Sequence, residues 1–353
     1  MHIAVSSSPL LTGHKARGVG TYTKELIGAL RIVPNITLTT FDDVKNIPRD
    51  ADLVHITHFD PFFLTLPLTL SKPMVITIHD LIPLVYPSHF PRGIRGELKW
   101  QIQRFGASRA SRIVTDSEAS KKDILRLMRV SQDRIDVVPL APRVAFAPVS
   151  NTKILTEIMA KYSLPMHFAL YVGDVNWNKN VFGLLYAWSE YILRNTFAKG
   201  NKLVLVGGAF LDSNLAEAKQ IQQIIEELEI GDSVVRVGFV PVDDLQALYT
   251  LASVTVVPSI HEGFGFAVLE SMACGGVVVA ANASSLPEIS GPSILVDPLS
   301  STSIASGLAK AMEMKPIDRE QLVKKGIAWS KNYSWATVAA NTIDAYKKVL
   351  QKS

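Results

Sequence analysis

The chain has 353 residues, 48% of them apolar and 19% charged, a soluble globular balance with enough aliphatic material for two cores and little room for extended disorder. A net charge of +4 is compatible with phosphate-bearing ligands or an anionic membrane surface but too weak to argue for nucleic acid as a partner. One cysteine, Cys274, excludes an internal disulfide and a thiol-based zinc framework; it reads as a small buried hydrophobe in an intracellular, metal-poor protein.

Along the chain, short β-branched runs alternate with longer segments of helical spacing, the pattern of βα units around parallel sheets. "MHIAVSSS" opens directly on a strand pattern without the features of a signal peptide, so a cytoplasmic location is expected. The first series of runs is "HIAVSS", "ITLTTF", "LVHI", "MVITIH", "RIVTD" and "RIDVVP". "RGVG" (17–20) follows the first run and opens a helix whose buried face holds Tyr22, Leu26 and Leu30; on spacing alone Gly18 and Gly20 read as a tight turn, since the G-x-G-x-x-G spacing of a dinucleotide fingerprint is missing. "DAD" (50–52) matches a metal-binding D-x-D, but it precedes a strand in a polar stretch and reads as a turn. "PFFLTLPLTL" (61–70) holds two prolines and falls short of the ~20 residues of a membrane-spanning helix. "ITIHD" puts His79 and Asp80 at a strand end, His79 as a candidate functional group and Asp80 as its orienting partner. The basic, aromatic-bearing segment 89–112, with Phe90, Trp100 and Phe105, reads first as a solvated helix face and second as a surface for an anionic or lipid-linked acceptor.

"PLAPRVAFAPVSNTKI" (139–154) carries three prolines and marks the linker, with the hinge near Pro148. The domains expected are 1–148, joined by a C-terminal helix over 335–353, and 149–334. The second series is "FALYVG", "KLVLVGG", "SVVRVGF", "VTVVPS", "GVVVAA" and "SILVDP", so the fold expected is α/β, two facing Rossmann-like domains. In the last helix Val338, Ile343, Tyr346 and Val349 or Leu350 share one face.

"HEGFG" (261–265) lies between a strand and a helix starting near Gly265. Gly263 and Gly265 let backbone approach a ligand, and the helix end offers N–H groups and a positive dipole, an anion site for a phosphate or diphosphate. Glu262 precedes that helix and Glu270 lies within it, one turn after Phe266; carboxylates accept hydrogen bonds, so sugar and ribose hydroxyls are their natural partners. A helix cap and a solvated surface acid are the plainer alternatives.

"HEGFGFAVLESMACGGVVVAANASSLPEI" resembles the E-x7-E signature of the retaining glycosyltransferases of family 4, which have the GT-B fold. The resemblance runs along nearly the whole chain, through "RGVGTYTKELIGAL", "ITIHDLIPLVYP", "SRIVTDSEASKKDIL", "YVGDVNWNKNVFGLLYAW", "KLVLVGG" and "VGFVPVDDLQALYTLASV", and "HDLIP" is similar to the mannosyltransferase-like subgroup. It implies a metal-independent transfer of a hexose, mannose from GDP-mannose, to a hydroxyl of a glycan or lipid-linked carrier. It implies further that Glu262 contacts the donor sugar, Glu270 the ribose, and the backbone of Phe264, Gly265 and Phe266 the diphosphate or sugar; that Val240 and the Gly18–Gly20 loop border the nucleotide; that Lys179 neutralises the leaving diphosphate; and that His79 lies near the reacting centre. No cofactor beyond the donor is implied, no metal and no nucleic acid, and peripheral contact with the inner membrane face is open. Asp174 and Asn178 stand where many relatives carry arginine, which leaves a weakly active or purely sugar-nucleotide-binding protein, or another GT-B activity such as an epimerase, as alternatives.

Overall fold

In the computed structural model, residues 1–67, 71–195, 198 and 200–351 are described, so the end of the 61–70 stretch lies outside them. All twelve β-branched runs form strands; the central ones carry apolar side chains toward both faces of a parallel sheet covered by helices, and the edge ones are partly exposed.

The first unit, Met1–Val144 with Tyr333–Ser353, holds β1 (His2–Ser6), β2 (Thr37–Phe41), β3 (Leu53–Ile56), β4 (Met74–Thr77), β5 (Arg112–Thr115) and β6 (Ile135–Val137) in the order β2-β1-β3-β4-β5-β6. Its first four helices are α1 (Gly18–Arg31), α2 (Ile82–Val85), α3 (Gly93–Ser108) and α4 (Glu118–Met128). The "RGVG" glycines are the opening turn of α1, where Tyr22, Leu26 and Leu30 are buried as the spacing predicts. Asp50 and Asp52 bond His2, through Nδ1 at 3.1 Å and the backbone N–H at 2.8 Å.

The second unit, Ala145–Asn332, holds β7 (Phe168–Val172), β8 (Lys202–Val206), β9 (Val234–Gly238), β10 (Val254–Val257), β11 (Val278–Ala281) and β12 (Ile294–Val296) in the order β12-β11-β10-β7-β8-β9. Its helices are α5 (Thr152–Lys161), α6 (Val181–Arg194), α7 (Ala216–Glu227), α8 (Val242–Leu251), α9 (Phe266–Ala273), α10 (Leu286–Ile289), α11 (Ser301–Met312) and α12 (Pro316–Ser330). Alternation along β8 shows the double-sided burial: Leu203 and Leu205 join Trp188 and Leu308 on one face, Val204 and Val206 join Phe168 and Tyr249 on the other.

The division falls at Val144/Ala145, before Pro148, because Phe146 is already buried in the second core, its ring 5.9 Å from that of Tyr249. The final helix, α13 (Trp335–Leu350), begins at Ser334, whose side chain caps Thr337 N–H, and belongs to the first unit. It buries Val338, Ile343, Tyr346 and Val349, and the Trp335 indole donates to the Pro142 carbonyl at 3.0 Å. Among the described residues no helix is long and apolar enough to cross a membrane.

In open parallel sheets a crevice forms at the carboxyl ends of two neighbouring strands whose crossovers leave in opposite directions. These switch points are β1/β3 in the first unit and β7/β10 in the second.

Candidate functional site

The second unit's switch point places the loop after β7, with Lys179, beside the loop after β10, with "HEGFG". The Lys179 ammonium lies 2.8 Å from both carboxylate oxygens of Glu262, and Ser259 Oγ donates to the same carboxylate at 2.7 Å. Glu262 is only 9% exposed, so this is a largely desolvated, charge-assisted cluster. The structure therefore brings together two residues 83 positions apart that sequence reasoning singled out separately.

The loops are joined by their backbones as well. Asn178 donates its side-chain N–H to the His261 carbonyl at 3.0 Å, and its own carbonyl accepts from Ile260 N–H at 2.8 Å. Asn180, in a left-handed conformation, donates to the carbonyls of Pro258 and Pro298. Asn178 thus fills its position as a buried strap between loops. Asp174 Oδ1 accepts from Val175 N–H at 2.9 Å and its carbonyl from the Tyr171 hydroxyl at 2.7 Å.

The α9 helix begins after Gly265, whose φ of 106° and whose position against Leu286, 2.5 Å from an added Cβ, admit no side chain. Intrahelical bonding leaves the first N–H groups of α9 without helical acceptors, the basis of an anion site. Preceding it, the backbone of Glu262 is clasped by Ser284, whose Oγ accepts the Glu262 N–H at 3.0 Å and donates to the Glu262 carbonyl at 2.6 Å. The Ser285 hydroxyl shares its hydrogen between the carbonyls of Glu262 and Phe264, at 2.9 and 3.0 Å. Phe264 is buried and packs edge to face on Phe266, ring centroids 5.6 Å apart, which fixes the segment Gly263–Phe266.

Glu270 is 2% exposed and accepts from the Tyr249 hydroxyl at 3.3 Å, which excludes the solvated surface acid. Val240 is buried beside Tyr249 and Leu248. Burial, with the Glu270 charge adding to it, pushes the Cys274 thiol up to about 12, so it is no nucleophile at neutral pH.

In the first unit, His79 follows β4 and Asp116 follows the adjacent β5. His79 Nδ1 lies 2.7 Å from Asp116 Oδ2 and Nε2 lies 3.2 Å from the Thr57 carbonyl, while Tyr22 meets the ring edge-on at 4.6 Å. Both ring nitrogens face acceptors, an arrangement that favours the protonated ring, which donates to both. Burial disfavours that charge, but the Asp116 carboxylate, with Asp80 and the Thr57 carbonyl, outweighs burial and raises the His79 pKa above its ordinary value. The expected orienting partner is corrected here: Asp80 accepts from Ile82 N–H at 3.0 Å, and Asp116 holds the imidazole.

Gly18 and Gly20 are ordinary helical residues, and the switch point of this unit lies beside them. There the loops after β1 and β3 border an open pocket of about 420 Å³ lined by Ser8, Thr12, Arg17, His58, Asp60, Phe63 and Thr65 among others. Hydroxyls, one aromatic face and charges of both signs make it suited to a polyhydroxylated ligand. Apart from the arginine of "RGVG", none of these residues stands in a motif; the signal for them is topological. Among the described residues no group of three or more His, Cys, Asp or Glu could hold a metal ion.

Two family models match the chain, "Glycosyl transferases group 1" over residues 158–329 and "Glycosyltransferase Family 4" over 34–141. An O-antigen chain mannosyltransferase B of Escherichia coli is 31% identical over 275 residues, 77% of this chain and 70% of that one. A serotype-specific mannosyltransferase WbdA of the same species is 27% identical over 84% of this chain, which spans only 36% of the WbdA length. Among solved structures, HepE of Anabaena in complex with UDP-glucose superposes with a TM-score of 0.74 at 17% identity, covering 99% of this chain and 100% of that one. At that identity the likeness establishes the fold, GT-B.

Proposed function

Because the chain belongs to the family 4 glycosyltransferases, we propose that it transfers mannose from GDP-mannose, with retention and without a metal ion, to a hydroxyl of a glycan or lipid-linked carrier. The observation that carries this reading is the Lys179–Glu262 pair at the β7/β10 switch point, one loop before the amino end of α9. A diphosphate arriving there competes with Glu262 for Lys179. Once the ammonium turns to the phosphates, Glu262 is free to accept from donor-sugar hydroxyls, and Glu270 from the ribose. Lys179 and the α9 N–H groups then stabilise the charge that builds on the phosphate as its bond to the anomeric carbon breaks. The acceptor oxygen bonds to that carbon on the face the phosphate leaves, and its proton passes to the departing phosphate oxygen. His79, held between the Asp116 carboxylate and the Thr57 carbonyl, is a fixed polar post on the acceptor side. The β1/β3 pocket receives the acceptor sugar, with the Ser8, Thr12 and Thr65 hydroxyls and the charges of Arg17 and Asp60 along its wall.

The mannosyl assignment is supported by the names of the two Escherichia coli relatives; the UDP-glucose bound by HepE makes a uridine donor the competing reading. Thermal-shift titration with GDP-mannose, UDP-glucose and an ADP-sugar separates them, since only a ligand that binds the native state raises Tm. Nucleoside diphosphate released only with acceptor present, in EDTA, and an axial product linkage by NMR are the results expected. Release without acceptor, or donor binding with no turnover on any glycan, would replace transfer by hydrolysis, epimerisation or simple binding.

A further inference from the structure

The α3 helix is built inside out. Facing inward it has Gly96, Gly106, Ala107, Trp100 and Gln103, the last donating its side-chain amide to the Asp60 carbonyl at 3.0 Å and to Thr65 Oγ1. Facing outward are Ile94, Leu98 and Phe105, 91%, 64% and 61% exposed. At 3.6 residues per turn these three fall within roughly 40° of one another, a single apolar stripe in water. The neighbouring loop continues it with Phe63 and Leu64, also exposed, and joins α3 through the Lys99 ammonium, 5.2 Å from the centre of the Phe63 ring. The outer face of the 89–112 segment is thus exposed but mixes apolar side chains with its charges, and Trp100, counted from sequence among its aromatics, is buried.

Charge says what covers the stripe. Between Arg92 and Arg109 stand five cations and one acid, Glu97, which Arg92 already pairs at 2.8 Å; this net +4 equals that of the whole chain, so the remaining residues sum to zero. Lys99, Arg104 and Arg109 each lie over an aromatic ring, of Phe63, Trp100 and Phe105, with their stems along apolar surface and their charges at its rim. An apolar stripe bordered by cations, on a helix whose burial does not need it, matches the boundary of a bilayer carrying negative headgroups.

We propose that the outer face of α3, with the Phe63–Leu64 loop, seats the first unit on an anionic lipid surface. Apolar side chains enter the headgroup boundary and Arg95, Arg104 and Arg109 meet phosphates. The surface argument stands on exposure and charge alone; its consequence, that the protein works beside a lipid-linked acceptor, rests on the transferase reading.

The test is sedimentation of the full chain with phosphatidylcholine vesicles, with and without phosphatidylglycerol. Binding is expected only with the anionic lipid and is weakened by salt; Arg95→Glu with Arg104→Glu should lower it by roughly fivefold or more per cation. Ile94→Ser, Leu98→Ser and Phe105→Ser together should abolish it while leaving Tm and donor turnover on a soluble acceptor unchanged, which separates failure of this surface from failure of the transferase. Wild type that ignores anionic vesicles overturns the proposal, as does binding that survives both sets of changes. So does a triple variant that merely converts a solution dimer to a monomer, since the stripe would then be a protein interface.

Discussion

Ser284 offers a substitution in which stability and activity should part company. Its φ of 55° is left-handed, a conformation that costs a residue with a side chain about 1–2 kcal/mol, and the strain is held by its two bonds to the Glu262 backbone. Each bond contributes about 1 kcal/mol net. Ser284→Gly removes both bonds and the strain together, so folding stability should change by less than about 1 kcal/mol. Ser284→Ala removes the bonds and keeps the strain, and should lose about 2 kcal/mol. In both variants the peptide carrying Glu262 loses its clasp, and a displacement of the kind that costs roughly 100-fold in rate becomes accessible, so kcat/KM should fall by roughly 10- to 100-fold in each. Urea denaturation and initial-rate measurements read the two quantities separately. A glycine variant with wild-type turnover would refute the positioning argument; one that loses several kcal/mol would show the clasp to be a folding element.

Two further predictions concern the first unit. His55 is fully buried between the Tyr346 hydroxyl at 2.6 Å and Thr77 Oγ1 at 2.8 Å, and burial, with the nearby His79 charge, depresses its pKa to about 3. The unfolded chain takes up this proton near pH 6.5 and the native state does not, so stability present above 6.5 drains away as pH falls, by roughly 5 kcal/mol at pH 3. His55→Gln should flatten that slope in denaturant titrations, and an unchanged slope would contradict the assignment. His79 has the opposite sign: its raised native pKa adds stability below about 6.5 that is lost as pH rises through the folded value. In Asp116→Asn the imidazole should titrate at lower pH by NMR and that alkaline loss should disappear; a ring that titrates as before would mean Asp116 does not hold it.

Both sheets were legible because their central strands are apolar on both faces, a signal that needs only a few consecutive residues such as "KLVLV" or "VTVV". Glu262, Lys179 and the glycines around Phe264 were legible through the motifs that contain them. Ser284, Ser285, Asn178 and Asn180 were not, because each acts by bonding a backbone group of another loop, and polar residues doing so have no periodicity. Asp116 had a readable cue: "RIVTD" ends in an acid as "ITIHD" ends in His79 and Asp80, and adjacent parallel strands bring such ends together. On α3 the charges were visible, but which face they border depends on what Gln103 and the small residues pack against, a tertiary fact.

The most direct test of the account is the calorimetric affinity of the full chain for GDP with and without Lys179. If the ammonium leaves Glu262 for the diphosphate, Lys179→Ala should weaken GDP binding by at least about tenfold, as expected for losing a charge-assisted contact. Equal affinity in wild type and variant would mean that the diphosphate does not sit at the β7/β10 switch point.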